Sequence, residues 1–156
     1  MTARAGAPLI RLVTDADFAR WLPLWDGYNA FYGRAGGSAL PEQVTRTTWS
    51  RFLDPAEPMH ALVAELDGQL CGLAHYLFHR STIHIEPICY LQDLYTLASA
   101  RGRGIGRALI ESVAAYARAA GSVRLYWQTH ESNQVAIRLY ETLAVRSGFI
   151  VFRKDR

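Results

Sequence analysis

Three glycines at alternate positions, in Arg101-Gly102-Arg103-Gly104-Ile105-Gly106-Arg107, divide a strand-like run from a helix-like one. The run before them spans Ile88 to Thr96, and the run after them continues to Ala119. Glycine has no Cβ, so such a segment can turn tightly and bring its N–H groups close to a ligand. A helix that begins there adds unpaired N–H groups and the positive end of its dipole, which suits an anion, most simply a pyrophosphate. Three arginines within seven residues add charge at the same place. No Lys-Ser/Thr follows the last glycine, so this is not a Walker A loop, and the glycine spacing departs from the G-x-G-x-x-G dinucleotide fingerprint.

The chain has 156 residues, 50% of them hydrophobic and 20% charged, which predicts a single domain over 1–156 with its own core. No apolar stretch approaches the ~20 residues that cross a bilayer, so no membrane partner is expected. The opening residues, Met1 to Val13, carry no apolar segment of signal-peptide type. Cys71 and Cys89 fall in apolar, strand-like runs and read as buried reduced thiols, which points to a cytoplasmic protein. A net charge of +3 fits one anionic ligand better than a nucleic-acid surface.

Periodicity orders the elements. Pro8 to Val13 reads as a strand, followed by a helix capped at Thr14 or Asp15 that carries Phe18, Leu22, Trp25 and Tyr28, with Pro23 a kink. Pro41 opens a second helix to about Leu53. His60 to Leu66 and Gln69 to His79 read as a hairpin about Asp67-Gly68, a type I′ turn, and Pro87 to Leu97 as the next strand. The helix after the glycines places Ile105, Leu109, Val113, Tyr116 and Ala120 on one stripe, with Gly121 as its stop. Val123 to Thr129 reads as a strand. Ser132 or Asn133 caps a helix bearing Val135, Ala136, Leu139, Tyr140 and Leu143, and Phe149 to Arg153 is a last strand. Together these predict an α/β fold with a mixed sheet flanked by helices. His75, His79 and His84 have no third ligand at metal-binding spacing, so they are assigned to surface or packing roles and no metal is expected.

The order Leu91-Gln92-Asp93-Leu94-Tyr95-Thr96, Arg101-x-x-Gly104-x-Gly106, Asn133-x-x-Ala136-x-x-x-Tyr140 and Gly148-Phe149 resembles the GNAT superfamily of acyl-coenzyme A-dependent N-acyltransferases across essentially the whole chain. Tyr126-Trp127-Gln128-Thr129, Leu139-Tyr140-Glu141 and the aromatic first helix are most similar to its diamine/polyamine and histone-type branch. The resemblance implies acetyl-coenzyme A as co-substrate and a mostly antiparallel sheet with one splayed pair of strands. Leu94, Tyr95 and Thr96 would offer backbone groups to the pantetheine amides, with the N–H of Tyr95 facing the thioester oxygen. Arg101, Gly102, Arg103, Gly104, Ile105, Gly106 and Arg107 would take the pyrophosphate. Asn133 would bond the pantetheine arm or cap its helix.

By the same resemblance Tyr140 would protonate the departing thiolate, and Asp93 would act as general base, directly or through water. Related polyamine enzymes often carry a glutamate where this chain has Gln92; Glu86 is an alternative base. Asp26, Tyr28 and Tyr32 would line the acceptor pocket, where an acid and aromatics suit a cationic amine, and His130 would contact substrate. The implied activity is direct acetyl transfer to a primary amine of a small, polyamine-like molecule. The alternatives are a protein lysine or N-terminal acetyltransferase and an inactive coenzyme-binding sensor or subunit. A homodimer is the implied assembly.

Overall fold

The computed structural model describes residues 6–156; residues 1–5, part of the opening stretch read for a leader, lie outside the described residues. Five strands form one sheet in chain order: β1 Leu9–Leu12, β2 Met59–Leu66, β3 Gln69–His79, β4 Ile88–Thr96 and β5 Arg124–Trp127. The first three pairings are antiparallel and β4–β5 is parallel. The helices are α1 Phe18–Phe31, α2 Glu42–Leu53, α3 Ile105–Ala119 and α4 Gln134–Tyr140. This is the expected mixed sheet flanked by helices. Asp67 (φ 52°) and Gly68 (φ 78°) turn the β2–β3 hairpin with both central residues left-handed, as a type I′ turn requires.

Each face of the sheet has its own core. On one face α3 lays Ile105, Leu109, Ile110, Val113 and Ala117 against Leu62, Ala64, Ala74, Cys89 and Leu91. The stripe is therefore centred further round the helix than the spacing predicts: Tyr116 sits at its margin, 38% exposed, and Ala120 is past the last helical residue. On the other face Trp21, Leu24, Trp25 and Tyr28 of α1 and Trp49 of α2 cover Val63, Leu70 and Leu73. Those aromatics stack from Trp21 to Trp25 and from Trp25 to Tyr28. Trp25 Nε1 donates to Thr45 Oγ1 at 3.1 Å, which ties α2 to α1.

An ion-pair cluster fixes where α1 begins. Arg11 of β1 grips both oxygens of buried Asp17 at 2.7 and 2.9 Å and also reaches Glu65 of β2. The Thr14 backbone N–H donates to the same Asp17 carboxylate at 2.8 Å. The Arg11 guanidinium holds the Asp17 carboxyl well below the usual carboxylate range. Pro23 lies inside α1 on its exposed side, where the carbonyl that loses its helical donor is open to solvent.

One bulge decides what β4 presents. His75 of β3 pairs with Asp93 while the adjacent Tyr76 pairs with Leu91, so Gln92 is an extra residue with no partner. Strand side chains alternate between faces, and one inserted residue reverses the alternation beyond it. Before the bulge Cys89 and Leu91 enter the α3 core; after it Asp93 and Tyr95 face α1.

The strands β4 and β5 pair only from Ile88–Arg124 to Leu91–Trp127. From Gln92 to Thr96 the β5-facing edge of β4 has no strand partner among the described residues, which is the expected splay. The expected last strand does not form. Residues 149–153 join no ladder, and Phe149, Ile150, Val151 and Phe152 are 68–91% exposed. The tail instead borders a cleft of about 830 Å3 beside β5 and α4; strand-like composition without a paired edge does not make a strand. The helix α4 also ends at Tyr140, so Leu143 lies in the turn that follows. Cys71 and Cys89 are free and buried, and burial pushes the Cys89 thiol up to about 12.

Candidate active site

The fork between β4 and β5 opens onto a narrow pocket of about 20 Å3 lined by Leu91, Gln92 and Leu94 of β4, Trp127 and Gln128 at the end of β5, Tyr140 of α4, and Tyr28 and Tyr32. Four sequence-predicted site residues, Tyr28, Tyr32, Leu94 and Tyr140, thus meet at one place. Tyr140 packs edge-on against Trp127, and burial raises its pKa, with Tyr32 adding to the effect. A phenol so placed keeps its proton at neutral pH, as an acid must.

The open edge of β4 has a definite polarity. The Leu97 N–H donates to the Cys71 carbonyl at 2.9 Å, and the Tyr95 carbonyl lies toward Gly72 of β3. Backbone groups alternate sides along a strand, so Tyr95 turns its N–H and C=O into the β3 ladder while Leu94 and Thr96 turn theirs to the open edge. This corrects the expectation for Tyr95: the N–H available at the fork is that of Leu94. The Tyr95 ring lies instead on the α1 side, so close to Gly27 that a Cβ there would stand 2.6 Å from its hydroxyl. The Thr96 carbonyl accepts from Arg101 Nε at 3.2 Å.

The glycine loop follows directly. Gly102 (φ 75°) and Gly104 (φ 78°) are left-handed, and Gly104 stands at the N-cap of α3 with no side-chain cap bond. The first N–H groups of α3, from Ile105 to Arg107, therefore point outward without helical acceptors. Arg101, Arg103 and Arg107 are exposed around them, Arg107 reaching Thr142 Oγ1 at 2.8 Å. The edge, the loop and the helix end form one continuous row of amide donors suited to a long ligand with amides at one end and phosphates at the other. Asn133 caps α4: its Oδ1 accepts from the Ala136 N–H at 3.4 Å.

Asp93 is 9% exposed and does not line the pocket. Its Oδ2 lies 2.9 Å from His75 Nδ1, and His75 Nε2 lies 3.0 Å from Trp21 Nε1. Tyr28 stands between this buried group and the pocket, and its pKa is raised by burial and then by the Asp93 charge. Arg34, anchored by Nε to Asn29 Oδ1 at 2.7 Å, lies over the rings of Tyr28 and Tyr32. Of the four residues expected to bind the acceptor, two are not brought to the pocket. Asp26 is on the exposed side of α1, and His130 is an exposed turn residue whose Nδ1 lies 2.6 Å from Ser132 Oγ. Sequence reasoning passed over His75, Trp21, Arg34 and Gln128. The pairing of His75 with Asp93 becomes visible only once the β3–β4 register, bulge included, is known.

A forked sheet with a left-handed glycine loop at the head of the next helix is the architecture of an acyl-coenzyme A-dependent transferase. The profile of the acetyltransferase (GNAT) family matches residues 21–144, and the chain belongs to that family as an N-acetyltransferase. It is 32% identical over 149 residues to the D-amino-acid N-acetyltransferase HPA3 of Saccharomyces cerevisiae, covering 94% of this chain and 90% of the relative. It is 31% identical over 124 residues to the aminoglycoside N(6')-acetyltransferase type 1 of Stenotrophomonas maltophilia, covering 75% and 72%. Among solved structures, the aminoglycoside N-acetyltransferase AAC(6')-Iy in complex with CoA superposes with a TM-score of 0.82 at 18% identity, over 100% of this chain and 99% of that one.

Proposed function

We propose that this chain transfers an acetyl group from acetyl-coenzyme A to the primary amine of a small molecule, by direct attack with both substrates bound. The observation that carries the reading is the fork: an unpaired strand edge from Gln92 to Thr96, continuous with the glycine loop, opening onto a pocket walled by Tyr28, Tyr32 and Tyr140. Leu94 and Thr96 meet the pantetheine amides through their backbone, and residues Gly102 to Arg107 hold the pyrophosphate. The Leu94 N–H is available to the thioester oxygen as negative charge develops there. The amine nitrogen forms a bond to the carbonyl carbon, the carbon–sulfur bond breaks, Tyr140 gives its proton to the sulfur, and the proton that the newly acylated nitrogen sheds restores the phenol. The proton lost from the acceptor ammonium passes toward Asp93 through the Tyr28 hydroxyl or a water beside it. The fit to the donor rests on the two left-handed glycines and the bare α3 terminus.

For the acceptor, the pocket lining is neutral and the nearest acid is Asp93, behind Tyr28. Arg34 places a fixed cation over the tyrosines. One ammonium with a neutral or anionic remainder, as in an amino acid, suits this arrangement better than the polyamine expected from sequence. A panel of amino acids, diamines, polyamines, an aminoglycoside and a lysine peptide, incubated with acetyl-coenzyme A and read by mass spectrometry, tests the reading. Acetylation of a small amine supports it; acetylation of the peptide alone favours the protein-acetylating alternative, and coenzyme binding with no product favours the sensor. We also read the chain as a homodimer, on the exposed Phe149–Phe152 run beside the cleft. Light scattering should give twice the mass of one chain, and a Phe149→Asp/Val151→Asp double variant should give the mass of one.

A further inference from the structure

Of the buried polar and charged groups among the described residues, His75 is the most enclosed after Asp17. It sits in the middle of β3 at 3% exposure, faced by Trp21 and Trp25 of α1, Phe52 of α2 and Asp93 of β4. A bare packing position in such an aromatic cage is ordinarily apolar, since an imidazole there must have both nitrogens bonded. Both are. The indole Nε1–H of Trp21 can only donate, so His75 Nε2, 3.0 Å away, accepts. The hydrogen of the ring is therefore on Nδ1, which donates to Asp93 Oδ2 at 2.9 Å.

We propose that His75 is the positioning residue of the acceptor site. It holds the Asp93 carboxylate by one oxygen, in one orientation, so that its charge and its remaining lone pairs are directed at Tyr28 and the ammonium beyond. Trp21 selects the tautomer that can do this: a hydrogen on Nε2 would meet the indole N–H donor, and Nδ1 would then have nothing to give the carboxylate. The Gln92 bulge is what sets Asp93 directly opposite His75. The three residues come from three elements, and their bonds run in one direction, Trp21 to His75 to Asp93. The role rests on the reading of Asp93 as the acid that serves the acceptor amine.

The test compares His75→Leu, His75→Asn and Trp21→Phe with the wild type. An asparagine amide can place an N–H where Nδ1 stood; leucine cannot. His75→Leu should lower kcat/KM for the amine about 10-fold or more, the scale of a misplaced catalytic group, while KM for acetyl-coenzyme A stays within about twofold. His75→Asn should recover most of that loss at a similar Tm, because the packing loss is shared and the bond to Asp93 is not. Independently of activity, 15N NMR of the imidazole should show hydrogen on Nδ1 and a bare Nε2 in the wild type, and a mixture of tautomers in Trp21→Phe. Equal kinetic losses in His75→Leu and His75→Asn, or a wild-type ring with its hydrogen on Nε2, overturns the proposal. If the wild type acetylates no amine, the functional reading falls and the positioning role with it. An active wild type matched by His75→Leu overturns this proposal alone.

Discussion

The two sides of the fork are built by opposite means. The donor side is a surface: an unpaired strand edge, two left-handed glycines and the bare end of α3, all solvent-facing and all supplied by backbone. The acceptor side is an interior: stacked indoles, a bonded histidine and a carboxylate behind a tyrosine, all supplied by side chains from α1, α2, β3 and β4. Backbone recognition tolerates nearly any side chain in the same stretch, whereas a packed aromatic interior is sensitive to each. The donor is read by a shape that many sequences can make; the acceptor is read by particular residues.

Substitutions can break this contrast, and the interior should give the largest effect. Trp21→Ala removes a fully buried indole and should destabilise the fold by about 3–5 kcal/mol, seen as a lower urea midpoint. A loss below about 1 kcal/mol would mean that the acceptor wall is not a packed unit. Tyr140→Phe keeps the packing against Trp127 and removes only the hydroxyl. It should lower kcat at least ~10-fold with Tm little changed, and an unchanged kcat would remove Tyr140 from the acid's role.

On the donor side, Gly104→Ala forces a left-handed backbone on a residue with a Cβ, at the position next to the phosphates. It should raise KM for acetyl-coenzyme A about 10-fold, a cost of roughly 1–2 kcal/mol for a non-glycine residue in that region. Gly106→Ala is the control. A Cβ there meets only Leu139 Cδ2 at 3.5 Å, an ordinary contact, so coenzyme affinity should change by less than about twofold, within the ±0.5 kcal/mol of an unstrained surface change. Equal losses in the two variants would mean that the glycines act by leaving room for the ligand and not by backbone conformation.

The smallest effect concerns the clamp at the start of α1. The folded-state pKa of Asp17 is depressed by Arg11, with help from the Thr14 N–H. Its contribution is therefore complete above the unfolded carboxylate value near 4 and is lost as pH falls through the lower folded value. Wild-type stability should drop by about 1–2 kcal/mol more than that of Asp17→Asn between pH 5 and pH 2, measured by urea unfolding. Parallel curves would show that the Arg11–Asp17 pair adds nothing to stability.

The same contrast explains what could be read from the chain alone. Glycine spacing, strand-to-helix order and the Asn133–Tyr140 register are local signals, so the loop and the position of Tyr140 were legible, and the fork was expected only through the family resemblance that those signals carry. The acceptor wall depends on residues 54 apart, Trp21 and His75, joined through a strand register that periodicity does not give. A histidine in a strand reads as surface or packing until its cross-strand partner is known. Tyr95 was assigned the wrong edge for a related reason: which residues of β4 face outward depends on its pairing with β3. The tail failed differently: Phe149 to Phe152 have strand composition but join no ladder, although β5 leaves its outer edge open.

The unpaired residue in β4 also bears on how such a protein can change over evolutionary time. Were Gln92 to enter the ladder opposite His75, strict alternation would return and everything downstream would turn by half a turn about the strand. Asp93 would then be driven into the apolar layer under α3, and the amide edge of Leu94 and Thr96 would exchange places with that of Tyr95. The bulge thus sets the phase between the two substrates, and ironing it out with the residue retained would scramble both at once. Loops around this sheet can lengthen or shorten freely, but the register of Asp93 to Thr96 on β3 cannot slip.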